Sequence, residues 1–414
     1  MISKRAAISS ADLDIPWRYI DPGPRGRYDP DTNPTGVITH FTSAENYLVQ
    51  EELTRFIKTN VEMPEQALGY SYSTAGGQRL PAALASHLNA HWNPFKPLSG
   101  DDIRITGAAT ALHEILGFSV ADLGQGIMMS RPYYGRFELD FGLKVGLRIV
   151  AADTPLETCL QPDVVDVFEE TLKKARTNGI EVKALLIVNP HNPLGRCYPK
   201  ETLSALMRFC QKHSIHLISD EIYAFSGFES AEPGASTFTS ILSLEPQMDE
   251  DLLHVIYGMA KDYAVPGLRI GALITRSTPL LKALKSVIRF HNPAGPSVAI
   301  ATAMLEDRVW LRSFIKLSRE RVGEAYTYFT VRLSQMGVKY LSRVNAGLFV
   351  FVDLSPWLSE DVGQGQTARE QELAQRALDN GVFLQPGEEH ALEPGWYRLV
   401  YTVERRVMDE GLRR

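Results

Sequence analysis

Between residues 102 and 222 the chain alternates short apolar runs with amphipathic stretches, a rhythm that few folds accommodate. Strands are expected at 102–106, 127–130, 148–152, 182–189 and 216–222. Helices are expected over 163–177 and 199–213, with another opening at 107–114. Strand and helix in regular succession make a mostly parallel sheet with helices on both faces, an α/β architecture. Two further apolar runs, 252–256 and 272–275, read as buried core strands. Ahead of this block, Ser43 is a candidate cap for a helix over 43–58, and 79–92 reads as another helix. Between them, Tyr70-Ser-Tyr-Ser-Thr-Ala-Gly-Gly77 reads as a loop with aromatics.

After Arg289 the rhythm changes. Helices over 297–305 and 309–336 precede strands at 347–354, 382–385 and 396–403, the pattern of an α+β unit. Residues 1–42 are rich in Pro, Gly, Asp and Arg and read as an arm over the body or over a partner subunit. The expected division is an arm at 1–42, a large domain at 43–290 and a small C-terminal domain at 291–414, joined by the N-terminal segment. The chain's 414 residues, 44% hydrophobic, suffice for one large core and one smaller core. A net charge of −6 leaves no basic footprint for nucleic acid. Cys159, Cys197 and Cys210 lack metal-ligand spacing and suggest a reduced intracellular protein. The first residues carry no apolar signal region and no run reaches transmembrane length. The expectation is a cytoplasmic protein without a membrane partner, a peroxisomal or other address staying open.

Chemistry gathers where the expected strands end, which is where open α/β sheets hold ligands. Lys261 sits in a loop between two core strands, Tyr257-Gly-Met-Ala-Lys-Asp-Tyr-Ala-Val-Pro-Gly-Leu-Arg-Ile-Gly271. An apolar setting disfavours its ammonium form and makes it a better nucleophile and base. Arg269, eight residues on, offers a permanent cation. Such a pair suits pyridoxal phosphate, which has an aldehyde to trap and a phosphate to hold. A lone Lys is more often a solvated surface group, but five more motifs change the balance. Gly107-Ala-Ala-Thr110 opens a helix with small residues, whose N–H groups and Thr110 hydroxyl suit a phosphate. Two aromatics follow a strand in Ser130-Arg-Pro-Tyr-Tyr-Gly135, and Tyr134 is the ring chosen to stack on a pyridine face. Asn192, in the doubled turn Asn189-Pro-His-Asn-Pro-Leu-Gly195, can donate to a phenolate oxygen. Asp220 emerges from an apolar strand, where it is costly to bury unless paired, and a pyridinium N–H is such a partner. Tyr223, three residues on, is within reach of the same ring's phenolic oxygen. Arg398, on an expected strand of the small domain, can grip a carboxylate bidentately. Taken singly, each has a bland reading as a turn, a packed ring, a loop acid or an exposed Arg. Their order along one chain argues for a site.

That order resembles the fold-type-I pyridoxal phosphate enzymes, the aspartate aminotransferase superfamily. Within it, the chain is similar to the 1-aminocyclopropane-1-carboxylate (ACC) synthases and their fungal and animal relatives. The likeness spans nearly the whole chain: Asn33-Pro-Thr-Gly-Val-Ile38, Ser43-Ala-Glu-Asn46, Gly107-Ala-Ala-Thr110, Pro132-Tyr-Tyr134, Asn189-Pro-His-Asn-Pro-Leu-Gly195, Ser219-Asp-Glu-Ile-Tyr223, Asn345-Ala-Gly-Leu-Phe349 and Glu393-Pro-Gly-Trp-Tyr-Arg398. Ala-Glu-Asn and Glu-Pro-Gly-Trp point to the ACC synthase branch. The resemblance implies that Lys261, Asp220 and Tyr223 are catalytic. Lys261 traps the aldehyde of pyridoxal 5′-phosphate, Asp220 pairs with its ring nitrogen, and Asn192 and Tyr223 hold its phenolic oxygen. Tyr134 stacks on the ring, while Ala109, Thr110 and Arg269 bind the phosphate. Arg398 takes the substrate α-carboxylate and Glu45 is the substrate-side acid. Tyr72, chosen from the 70–72 stretch, reaches the neighbouring subunit's phosphate in a homodimer. Two departures stand out. Where the family has Ser-x-Ser-Lys this chain has Gly258-Met-Ala260-Lys261, which implies a weaker hold on the phosphate or other donors in place of two hydroxyls. The loop 70–77 also departs from the family's Tyr-x-Gly pattern.

The reaction the resemblance implies is attack within S-adenosylmethionine at Cγ, with loss of methylthioadenosine and closure of a cyclopropane. An aminotransferase shares every residue above except Glu45, and another γ-elimination or γ-substitution in secondary metabolism stays open. A dicarboxylic-acid aminotransferase needs a second cation on the substrate side, and none is identifiable from the sequence. A non-catalytic binding protein is also weighed; the lost serines favour it slightly, and the retained Lys261, Asp220, Asn192, Tyr223, Arg269 and Arg398 oppose it.

Overall fold

Seven of the apolar runs assemble into one sheet. The computed structural model describes residues 2–13, 17, 20–230, 232, 234–360, 365–386 and 391–414, with 12 and 13 as backbone only. Along the chain the strands are β1 (Ile103–Thr106), β2 (Gly126–Arg131), β3 (Arg148–Asp153), β4 (Val182–Val188), β5 (His216–Asp220), β6 (Leu253–Gly258) and β7 (Gly271–Thr275). In space their order is β1-β7-β6-β5-β4-β2-β3. Strands β6, β5, β4, β2 and β3 run parallel, and β7 runs antiparallel to both of its neighbours. A second, antiparallel sheet joins β8 (Lys339–Tyr340), β9 (Phe349–Asp353) and β10 (Trp396–Val400) in the order β10-β9-β8.

The helices, in chain order, are α1 (Lys4–Leu13), α2 (Gln50–Asn60), α3 (Arg79–Trp92), α4 (Ala109–Val120), α5 (Phe137–Gly142) and α6 (Val164–Thr177). They continue with α7 (Lys200–His213), α8 (Thr278–Val287), α9 (Gly295–Glu306), α10 (Arg308–Gln335), α11 (Gln366–Asp379) and α12 (Arg405–Arg413). Among the described residues, no helix is long and apolar enough to cross a membrane.

Side chains alternate across a strand, so each buried strand feeds two apolar layers. Ile105, Met128, Leu185, Leu217, Val255 and Ala272 meet Leu84 of α3, Phe168 of α6 and Leu206 of α7 on one side. Ile127, Met129, Leu186, Ile218, Ile256 and Leu273 meet Leu112 of α4 and Leu284 of α8 on the other. Strands β6 and β7 are buried at every position, as central strands covered on both faces require. The second layer continues through Phe329 and Leu333 of α10 into Val350 and Val352 of β9, so one apolar cluster ties the two sheets together. Each fully buried Leu, Ile or Val stabilises by about 1.5–3 kcal/mol. This cluster is therefore a large part of what holds the β9–β10 strand pair, and Arg398 with it, over the main sheet.

Three expectations are corrected. Ser43 does not open a helix. Asn46 accepts from Leu48 N and caps a 3-10 turn at Tyr47–Val49, after which α2 begins. The reason is tertiary: the carbonyls of Thr42, Ala44 and Glu45 accept hydrogen bonds from Arg398, Lys261 and Thr402 and so are not available to a helix starting at Ser43. The segment 382–385 is not a strand of the small sheet; Val382 makes an isolated bridge to Ile38, with Ile38 N bonded to Gly381 O and Phe383 N to Ile38 O. Strand β5 ends at Asp220, because Glu221 N turns away to Ile256 O. Helices α1, α5, α8, α11 and α12 carry no sequence expectation above.

Candidate active site

Strands β4, β5 and β6 and the start of α4 converge on a cavity of about 310 Å³. Ala109, Thr110, Tyr134, Asn192, Asp220, Tyr223, Lys261, Arg269, Arg398 and Glu45 all line it. Of the residues singled out from the sequence, Tyr72 alone is not among the lining; it is half-buried and packs against the first apolar layer.

The outer end is made by backbone. Ala108 precedes α4 with φ 85, a left-handed-side conformation unusual for a residue with a Cβ. Gly107 N is bonded to His291 O, which pins the turn. The turn presses on β7: a Cβ on Gly271 would lie 2.5 Å from the Ala108 carbonyl carbon. Gly271 pairs with Gly258 across β6 and β7, so two glycines clear the approach. The first N–H groups of the twelve-residue α4 have no partner within the helix, and its dipole favours an anion there. Thr110 and Arg269 are both exposed at this end. Arg269 stands in the left-handed region at φ 55 after the 3-10 turn Pro266–Leu268.

The inner end is made by interlocked side chains. Asp220, 4% exposed at the tip of β5, accepts from Ile222 N at 3.2 Å and lies 3.3 Å from His113 Nε2. Asn189 closes the end of β4 with its N–H on Asp220 O and its side chain on Thr239 O and Tyr198 N, which leaves Asn192 as the asparagine facing the cavity. Asn192 Oδ1 accepts from Arg398 Nη1 at 3.0 Å, so its NH₂ is the end that remains to donate. Arg398 Nη2 donates to Thr42 O at 3.0 Å, and its guanidinium lies 5.9 Å from the Tyr134 ring centre and 5.2 Å from that of Phe349. Tyr223 is buried edge-on to Phe349, and burial pushes its phenol pKa up.

Lys261 leaves β6 through a turn in which Met259 N bonds Ile270 O and Ala264 N bonds Lys261 O. Its Nζ donates to Ala44 O at 2.7 Å. Burial, with the Arg398 charge next in weight, pulls the ammonium pKa down to about 8, against the opposing pull of Glu45 and Asp220. Near neutral pH a usable share of the amine is therefore unprotonated.

Several lining residues carried no expectation. His113, one turn into α4, sits between Asp220 and Asp140, with Nδ1 2.8 Å from Asp140 Oδ2. A His in an apolar helix gives no sign of a partner 27 residues away. Arg136, two residues past Tyr134, brings the second cation that the sequence did not reveal. A charged residue in the loop after a strand was the available signal. Gln385 lines the cavity with its amide donating to Trp17 O, and Ile20 adds an apolar side chain from the arm.

The donor set fits pyridoxal phosphate. It offers an amine of lowered pKa, a buried carboxylate, an amide NH₂ and a phenol on one side, and a helix N-terminus with an Arg on the other. The comparisons agree. Residues 42–414 match the family described as aminotransferase class I and II. The chain is 30% identical over 395 residues to 1-aminocyclopropane-1-carboxylate synthase-like protein 1 of Homo sapiens, covering 94% of this chain and 77% of that one. It is also 30% identical over 384 residues to the probable aminotransferase sirI of Leptosphaeria maculans, covering 91% and 90%. Its backbone follows a Thermus thermophilus aspartate aminotransferase double mutant at a TM-score of 0.72 and 22% identity, over 100% of this chain and 96% of that one.

Proposed function

Because this chain belongs to the class I and II aminotransferase family and works with pyridoxal 5′-phosphate, we propose that it acts on the amino acid S-adenosylmethionine at Cγ. Methylthioadenosine leaves and the amino acid closes to a cyclopropane. The observation that carries this reading is Glu45, which lines the cavity and whose charge acts on Lys261. In an enclosed site a carboxylate attracts a sulfonium cation more strongly than it would in water.

Pyridoxal phosphate, when bound, supplies an aldehyde that captures amines and a protonated ring that draws off the electron pair left at Cα. In this reading Lys261 holds the aldehyde. Its Nζ would also take the substrate Cα proton, and the lowered pKa leaves a share of the amine unprotonated for that role. Asp220 accepts the ring N–H. Asn192 NH₂ and the Tyr223 hydroxyl hold the phenolic oxygen, and Tyr134 lies against the ring face. The N–H groups of Ala109 and Thr110, with Arg269, take the phosphate. Arg398 exchanges Thr42 O for the substrate carboxylate. The open outer end supports a homodimer in which a second copy brings Tyr72 to the phosphate. The division into an arm at 1–42, a large domain at 43–290 and a small domain at 291–414 is part of the same proposal.

Incubation with S-adenosylmethionine tests the reading. Methylthioadenosine together with the cyclopropane amino acid is expected. A keto acid with no methylthioadenosine would defeat it. That outcome is the second reading, an aminotransferase, and it has one observation in its favour: Arg136 lines the same cavity and suits the side-chain carboxylate of a dicarboxylic amino acid.

A further inference from the structure

His113 is 3% exposed, yet both of its ring nitrogens face carboxylate oxygens. Asp140 of α5 lies 2.8 Å from Nδ1 and Asp220 of β5 lies 3.3 Å from Nε2, and both carboxylates are nearly enclosed. Among the described residues, these are the charged groups that face the imidazole. The α5 rings of Phe137 and Phe141 pack around it at 5.1 and 5.5 Å, and the neighbouring Glu114 turns away to Lys144 and His291. An ionised carboxylate only accepts hydrogen bonds, so an imidazole placed between two of them must donate from both nitrogens. A neutral ring would leave one of its nitrogens lone pair to lone pair with an oxygen.

We propose that His113 and Asp140 are positioning residues, and that His113, held as an imidazolium between two carboxylates, keeps Asp220 ionised and fixed in rotation. The proposal rests on the cofactor assignment above and is indifferent to which reaction follows. A buried carboxyl with no cation beside it is driven toward its neutral acid form. A neutral Asp220 would offer an O–H to the ring nitrogen instead of accepting a proton from it. With Oδ2 on His113 and Oδ1 on Ile222 N, the carboxylate cannot turn about its Cβ–Cγ bond without losing both contacts. Asp140 plays the same part for His113. Burial alone would depress the imidazole; the hydrogen bonds and charges of Asp140 and Asp220 outweigh it and hold the pKa up at about 9.

Two ligands separate this role from packing: pyridoxal phosphate, and its carbocyclic analogue in which a C–H replaces the ring nitrogen. Each is titrated into the cofactor-free full-length protein, into Asp140→Asn and into His113→Gln, and the dissociation constants are read from absorbance. Asp140→Asn keeps the shape and an acceptor for Nδ1–H while removing only the charge. Both variants are expected to weaken pyridoxal phosphate about tenfold or more, and to change the analogue by less than about twofold, because a charged hydrogen bond is lost for one ligand alone. Nitrogen-15 spectra of the cofactor-free wild type are expected to show both His113 ring nitrogens protonated at neutral pH. A loss shared by the two ligands, no loss at all, or a neutral His113 would overturn the proposal while leaving the cofactor reading standing. A wild type that binds neither ligand would defeat both. Should His113→Gln fail to fold, Asp140→Asn and the spectra decide alone.

Discussion

At the inner end of the cavity Asp220, Asn192, Tyr223 and Arg398 are each less than a tenth exposed, and each touches another member of the group or a residue packed against it. At the outer end Thr110 and Arg269 are exposed, and the geometry comes from backbone: Ala108 at φ 85, Arg269 at φ 55 and Gly271 pressed against the turn. Buried polar groups that share partners leave one another unsatisfied when one is removed, so their effects are large and non-additive. Exposed donors around an anion act separately, and water replaces them in part. Substitutions at the inner end should therefore be costly, and those at the outer end mild and even improvable.

Lys261→Ala is the severest test of that contrast. Turnover should vanish, because the amine proposed to hold the aldehyde and take the Cα proton is gone. Near-native turnover without an added amine would break the assignment. Asp220→Ala should come next, slowing deuterium exchange at substrate Cα by orders of magnitude; exchange at the normal rate would show that the ring needs no inner carboxylate. Arg398→Ala should raise the substrate KM by roughly ten- to a hundredfold, the loss of charged hydrogen bonds worth about 1.5–3 kcal/mol. Cofactor affinity should move little, and the reverse pattern would assign Arg398 to the wrong ligand.

The pH profile sharpens the same comparison. Only the unprotonated amine reacts, and the Lys261 ammonium is pulled down to about 8. Labelling of Lys261 by an aldehyde reagent in the cofactor-free protein should climb about tenfold per pH unit below that value and level off above it. A climb that continues toward the ordinary lysine range would mean that the inner end does not desolvate the amine. The mildest effects belong to the outer end. Ala260→Ser returns a hydroxyl to the cavity wall and should tighten pyridoxal phosphate about two- to tenfold, the net worth of one hydrogen bond. Gly258→Ser should not help, since a Cβ there lies 3.0 Å from Ile270 O. Equal gains from the two would show that the β6–β7 glycine pair is not what excludes the hydroxyl.

The strands that carry Asp220, Asn192 and Lys261 were legible because buried parallel strands read as continuous apolar runs closed by turn residues. Their chemistry was legible only from their order along one chain, since a lone amine or carboxyl after such a run has a bland reading as a solvated or loop residue. The misses share a different cause. Ser43 looks like a helix cap until the carbonyls of Thr42, Ala44 and Glu45 are engaged by residues more than 200 positions away. Residues 382–385 look like a strand until Val382 pairs with Ile38 of the arm. Arg136 was readable as a charge in a loop but not as a cation in this cavity.

The sequence by itself determined the α/β alternation, the strand ends that line the cavity and the residue types suited to the cofactor, because periodicity, turn formation and side-chain chemistry are local. Tertiary structure alone decided that His113 stands between Asp140 and Asp220, that Asn192 turns its oxygen to Arg398 and that the outer end lies open. Those features depend on the distances between segments brought together by the common core, and such distances leave no trace in the spacing of residues along the chain.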